Sequence, residues 1–163
     1  MTQQQSIDAY AVMCARHDGQ WDVDALPEAL TDDLDDLIAA VAQQPGDSGA
    51  FALIDIADEF FVVVRVQHGR VRLLLSDVTC AAEWELAAQV LDHLELDIPG
   101  DDELEEIYPA GDLAVFDDLG LDAMEMGAIL ADVEAYADEI LSSLARRLGF
   151  SDAFERVVDA LVS

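Results

Sequence analysis

The spacing of hydrophobic positions changes along the chain, and the changes mark its elements. The run Ala9-Tyr10-Ala11-Val12-Met13-Cys14, between Asp8 and Arg16, reads as a first strand. His17-Asp18-Gly19-Gln20 reads as a turn, with a second strand starting near Trp21 and Val23. Leu30, Leu34, Leu37, Ile38 and Val41 then recur at helical spacing. Thr31 is the expected N-cap, Asp32 and Asp33 suit the positive end of the helix dipole, and Pro45-Gly46 closes the helix.

Three runs rich in Val, Leu, Ile and Phe follow, at residues 51–56, 60–66 and 71–75. The short turns Ala57-Asp58-Glu59 and Gln67-His68-Gly69 between them suit antiparallel hairpins. In the middle run Phe61, Val63 and Arg65 alternate with Phe60, Val62, Val64 and Val66, so that strand is expected at the centre of a sheet. The stripe Trp84, Ala87, Val90, Leu91 and Leu94, with Glu83, Glu85, Gln89 and Asp92 opposite, predicts a helix lying on that sheet.

After Leu96 the composition shifts. Pro99-Gly100-Asp101-Asp102-Glu103, Glu105-Glu106 and Pro109-Ala110-Gly111 read as a solvated acidic linker. Beyond it Asp112 is expected to cap a short helix ending at Gly120, and Asp122 with Glu125 has capping-box spacing before Met126, Ile129, Leu130 and Val133. A further helix has Asp138 and Glu139 early, Arg146 and Arg147 late, and Gly149 as its stop. Ser151 opens a last one that buries Phe154, Val157, Val158 and Leu161. The expected fold is α+β: an N-terminal antiparallel sheet with covering helices (1–96), an acidic linker (97–111), and a C-terminal cluster of short helices (112–163) able to pack with the first part as one domain.

With 163 residues, 53% of them hydrophobic, the chain can fill a real core. Its charge narrows the partners: 36 Asp and Glu stand against 7 Arg and no Lys, a formal net charge of −29. So few cations cannot neutralise a phosphate backbone, which excludes direct nucleic-acid binding. The same field repels an anionic membrane, and no apolar run reaches the roughly 20 residues needed to span one. The first residues lack the basic and apolar regions of a signal peptide, which points to the cytoplasm. Cys14 and Cys80 lie far apart, and two reduced thiols are expected.

Candidate chemistry is sparse. Gly46-Asp47-Ser48-Gly49 echoes a serine-protease nucleophile segment, but it comes without a positioned His or an oxyanion hole. His17, His68 and His93 read as surface residues. His93-Leu94-Glu95 matches the H-x-E of zinc deaminases, yet the P-C-x-x-C pair that completes such a site is missing. The clusters at 32–36, 101–106 and 117–118 lack calcium-loop spacing and read mostly as solvated faces. Asp77 with Glu83 beside Trp84 is a carboxylate pair an enzyme could use, though such pairs arise by chance in so acidic a chain. No metal, no cofactor and no catalytic residue is expected, and a P-loop or a Lys Schiff base is excluded.

The segment from Leu75 to Ala87, Leu-Ser-Asp-Val-Thr-Cys-Ala-Ala-Glu-Trp-Glu-Leu-Ala, closely resembles the actinobacterial family of tRNA adenosine deaminase-associated proteins. The resemblance continues through Gly111-Asp112-Leu113, Asp118-Leu119-Gly120-Leu121, Met124 to Leu130, Tyr136-Ala137-Asp138-Glu139 and Ala145 to Phe150. It covers most of the chain from about Phe51, and the N-terminal elements more loosely. It implies a protein partner, the deaminase that converts adenosine to inosine at the tRNA wobble position, and it carries no catalytic residue onto this chain.

Together these readings describe a non-catalytic accessory protein that binds its partner through an acidic surface. Candidate contact residues are Asp32, Asp33, Asp101, Asp102, Glu103, Glu105, Glu106, Tyr108 and Trp84. One alternative is a nucleic-acid mimic that sequesters another basic protein. Another is a small enzyme that works with carboxylates. If the interface is instead an apolar patch, Trp21, Phe61 and Tyr108 are the exposed aromatics expected to form it.

Overall fold

Strand alternation in β1, Tyr10–His17, sends Ala11, Met13 and Ala15 to one face and Tyr10, Val12 and Cys14 to the other, and all six are buried. A strand that is apolar on both sides needs cover on both. A computed structural model describes residues 9–44, 49–98, 100, 108–132 and 135–162 and shows that cover. Among the described residues β1 joins β2 (Gln20–Leu26), β3 (Phe51–Ile56), β4 (Phe60–Gln67), β5 (Arg70–Leu75) and β6 (Ala110–Gly111) in one sheet. The order is β2-β1-β3-β4-β5-β6, and every neighbouring pair is antiparallel. The fold is α+β, and β4 lies inside the sheet between β3 and β5, as its alternation predicts.

Helices α1 (Leu34–Gln43) and α2 (Glu85–His93) cover the first face, packing Leu37, Val41, Leu86 and Val90 over Ile54, Val62 and Val64. Residues 112–121 and the helices α3 (Ala123–Leu130), α4 (Ala137–Leu148) and α5 (Ser151–Val162) cover the second. There Phe116, Leu141, Leu144 and Phe154 bury Val12, Leu53, Phe61 and Val63. Burial of each such side chain contributes about 1.5–3 kcal/mol. Trp21, Phe51, Phe116 and Phe150 add an aromatic cluster with ring centroids 4.7–5.9 Å apart. Cys14 and Cys80 are free buried thiols, Cys14 belonging to the second-face core and Cys80 to the first.

Several local expectations need correction. Thr31 does not cap α1. It lies in a 3-10 turn after Pro27, Glu28–Asp32, where its hydroxyl donates to the Glu28 carbonyl at 2.7 Å. The cap is Asp33, whose carboxylate accepts from the Asp36 amide at 3.2 Å. Asp112 opens no helix either: it accepts from the Ala114 amide, and the regular helix before Gly120 is only the 3-10 turn Asp117–Leu119. Leu161, expected to be buried, is exposed at the end of α5, past the Phe154 and Val157 that pack on the sheet. Asp122 caps α3 and Gly149, at φ 100°, ends α4, both as the sequence indicates. Pro45-Gly46, Ser48 and Val133 lie outside the described residues.

Ala110–Gly111, the end of the stretch read as a linker, forms β6 against β5. Gly111 has φ 106°, and any Cβ there would collide with the Leu73 carbonyl, so the close approach requires glycine. The strand delivers the next residues to two arginines that face each other across β4 and β5, Arg65 and Arg72. Like charges directly opposite on a sheet repel unless each is neutralised. Arg65 is fully buried. Its guanidinium grips both Asp118 oxygens, at 2.7 and 2.9 Å, and donates to the Val115 carbonyl at 2.6 Å. Arg72 donates to Asp112 and to the Ala114 carbonyl, both at 2.6 Å. The pair thus ties residues 112–118 to the second face.

The ion pair is expected to behave asymmetrically. Asp118→Ala strands a buried guanidinium and should cost about 2–3 kcal/mol in urea unfolding, whereas the double variant Arg65→Met/Asp118→Ala should recover most of that loss. Additive losses would show that the charge pairing is not what holds the segment.

Candidate functional site

Trp84 stands at the N-cap of α2, where the chain turns from the 3-10 segment Val78–Ala82 onto the sheet. Its ring leans on Phe60 at 6.1 Å, and its indole N–H donates to the Glu59 carboxylate at 3.1 Å, which fixes the ring's orientation. Beside it a cleft of about 500 Å³ opens between the first residues of α2, the turn Glu28–Asp32 and the end of β3. Ala9, Ala29, Ile56 and Leu86 supply an apolar lining. Glu28 and Glu85, both exposed, stand in its wall. Leu34 donates its amide to Gln89 Oε1 at 2.7 Å, so α1 and α2 are tied together behind the cleft.

Of the residues read as candidate contacts, the structure brings Trp84 into this cleft. Asp32 ends the turn that borders it, and Asp33 follows as the α1 cap with Asp35 and Asp36 exposed beside it. Tyr108 is 43% exposed and lies elsewhere along the chain, its carbonyl accepting from the Val78 amide at 3.0 Å. Asp101, Asp102, Glu103, Glu105 and Glu106 lie outside the described residues. Among the expected exposed aromatics, Phe61 is instead fully buried beneath α4, and Trp21 packs against Phe51 and Phe150. Both are drawn in because the C-terminal layer covers the sheet face they occupy. Asp77 turns its carboxylate to the Thr79 amide and hydroxyl, at 2.9 and 2.6 Å, as a cap.

A second acidic group went unread. Asp55 is the one charged residue in the apolar run of β3, and it faces the second core, paired across the sheet with Tyr10. That isolated carboxylate at an inward position is the signal that marks it. Asp55 accepts from the Asp58 amide at 2.9 Å, and Asp58 in turn accepts from the Asp138 amide at 2.8 Å, holding the start of α4. Ala57 and Asp58 both take left-handed backbone angles, φ 55° and 59°. The turns Asp18-Gly19 and His68-Gly69 have the same geometry with glycine in second place. Asp58 stands where glycine would be easier because its carboxylate fastens the turn to α4.

Burial, together with the nearby Asp58 and Asp138 charges, pushes the Asp55 carboxyl up to about 7, although the Asp58 amide and the Tyr10 hydroxyl favour its charged form. Among the described residues the Tyr10 hydroxyl finds no hydrogen bond of normal geometry, but it is close enough to Asp55 to be raised in turn, by burial first and then by that charge. Asp138 is also raised, by burial and by the Asp58 carboxylate. Asp118 goes the other way: partial burial would raise it, but the Arg65 guanidinium outweighs burial and holds it below the usual carboxylate range. Among the described residues no three His, Cys, Asp or Glu side chains converge as a metal site would need. No helix among them is long and apolar enough to cross a membrane.

Comparison with known proteins agrees with the resemblance carried by the sequence strings. Residues 9–151 match the family described as Rv3753c-like tRNA adenosine deaminase-associated protein. Protein Rv3753c of Mycobacterium tuberculosis is 40% identical over 159 residues, covering 94% of this chain and 90% of the relative. No solved structure matches.

The Asp55 group has a pH signature. An unfolded carboxyl titrates near about pH 4, so between that value and the folded value of about 7 the native chain binds the extra proton. The stability contributed by the protonated carboxyl is fully present below about pH 4 and is lost as the pH rises through about 7. Asp55→Asn keeps an acceptor for the Asp58 amide and removes the charge. Thermal unfolding from about pH 5 to about pH 8 should show the variant losing less Tm than the parent and overtaking it at the upper end. Parallel profiles would contradict the assignment.

Proposed function

Because the chain belongs to the Rv3753c-like tRNA adenosine deaminase-associated protein family, we propose that it is a cytoplasmic, non-catalytic accessory protein that docks on the wobble-adenosine tRNA deaminase through its acidic surface. Charge is the observation that carries this reading. The 36 carboxylates face 7 arginines, and Arg65, Arg72 and Arg147 are committed to Asp118, Asp112 and Glu125 within the fold. The outward field is therefore more one-sided than the composition alone implies. A protein that binds tRNA must present cations to phosphates, and a polyanionic surface is complementary to the same cations. Docking of this kind occupies the tRNA-facing side of the deaminase and gives the accessory protein control over substrate access.

Size-exclusion chromatography of the chain mixed with the same organism's deaminase, at low and high salt and with and without tRNA, tests the proposal. Co-elution is expected at low salt, with loss on raising the salt above the range where screening falls to about 10 Å, and loss on adding tRNA. A complex that persists in salt and alongside tRNA would overturn the acidic mechanism. Failure to co-elute in every condition would overturn the partnership.

A further inference from the structure

The cleft beside Trp84 combines features that the general surface charge does not explain. Its lining residues Ala9, Ala29, Ile56 and Leu86 are apolar, none of its lining residues among those described is basic, and carboxylates stand on two sides, Glu28 on the 3-10 turn and Glu85 on α2. A third carboxylate, Glu59, holds the indole N–H and adds negative charge beside the ring. An aromatic face flanked by carboxylates attracts a guanidinium or ammonium group, and the attraction strengthens where neighbouring apolar atoms exclude water. A bare cation would leave the lining wet, and a purely apolar side chain would leave the carboxylates without a partner. The complementary occupant is an arginine or lysine next to an aliphatic residue.

We propose that the Trp84 cleft is a docking site for a partner segment that places a cationic side chain over the Trp84 ring, between Glu28 and Glu85, and an adjoining aliphatic side chain against Ile56 and Leu86. The assignment rests on the reading of the chain as a protein-binding accessory and narrows that reading to one surface. About 500 Å³ accommodates two such side chains, which makes the site an anchor for an extended segment and leaves the remaining acidic surface to steer its approach. Residues 1–8 contain no Arg or Lys, so they supply no cationic side chain.

The test uses the intact chain and fluorescein-labelled peptides followed by anisotropy: acetyl-Gly-Leu-Arg-Leu-Gly, its citrulline counterpart, and acetyl-Gly-Gly-Arg-Gly-Gly. The Leu-Arg-Leu peptide is expected to bind at least about tenfold more tightly than either control. Ala29 is exposed, so Ala29→Trp fills the cleft without disturbing the core and should reduce that binding about tenfold. Glu28→Gln/Glu85→Gln should weaken it severalfold, while the charge-matched Asp152→Asn/Glu155→Gln on α5 should leave it unchanged. Equal binding of all three peptides, or indifference to Ala29→Trp, would mean diffuse attraction and overturn the site. A dimer seen by sedimentation and dissociated by Ala29→Trp would give the cleft to a second copy and also overturn it. Peptide binding without deaminase co-elution would leave the cleft standing and sink the partnership, and the reverse result would sink the cleft alone.

Discussion

A sheet that is apolar on both faces cannot be finished by one layer of helices, and the rest of the structure follows from that constraint. The clearest expression is Arg65, a charged residue at an inward position of the central strand, fully buried and gripped by Asp118. Without the segment that brings Asp118, the guanidinium would stand opposite Arg72 on an open sheet face. With it, residues 112–118 are locked down and α3, α4 and α5 continue over Phe61, Val63 and Leu74. The ionic contact is specific in direction and register, and the apolar burial around it supplies most of the stabilisation.

Both faces leave acidic side chains outside, and some carboxylates also hold the fold together. On the second, acidic side chains are drawn into structural duties: Asp118 and Asp112 hold arginines, and Asp55 and Asp58 fasten the β3–β4 turn to α4. On the first, Glu28, Glu85 and the run Asp33, Asp35 and Asp36 are exposed around α1, α2 and the Trp84 cleft. Exposed carboxylates stand on the second side as well, among them Asp122, Asp152 and Glu155, so what sets the first side apart is the apolar recess beside Trp84.

Much of the fold was legible because the strand and helix periods are strong. Phe60 to Val66 announced a strand buried on both faces, and Asp122 and Gly149 marked helix limits through local chemistry that tertiary context does not override. What the pattern could not reveal was the identity of the second cover. Phe61 and Trp21 therefore read as exposed aromatics, and Asp118 read as part of a solvated acidic run. Pairing of Arg65 with Asp118 joins positions 53 residues apart, and nothing local to either residue encodes it. The sequence offered Trp84 as a candidate contact, and the structure places it at the cleft. The rest of its cleft was not, because Ala29, Ile56 and Leu86 are ordinary apolar residues on three separate elements that only the fold brings together.

The most direct test of the account is amide hydrogen exchange of the intact chain with and without the deaminase. Slowed exchange confined to the turn Glu28–Asp32, the start of α1 and the first turn of α2, with α4 and α5 unchanged, is the predicted result. Protection concentrated on α4 and α5, with the Trp84 side unaffected, would contradict it.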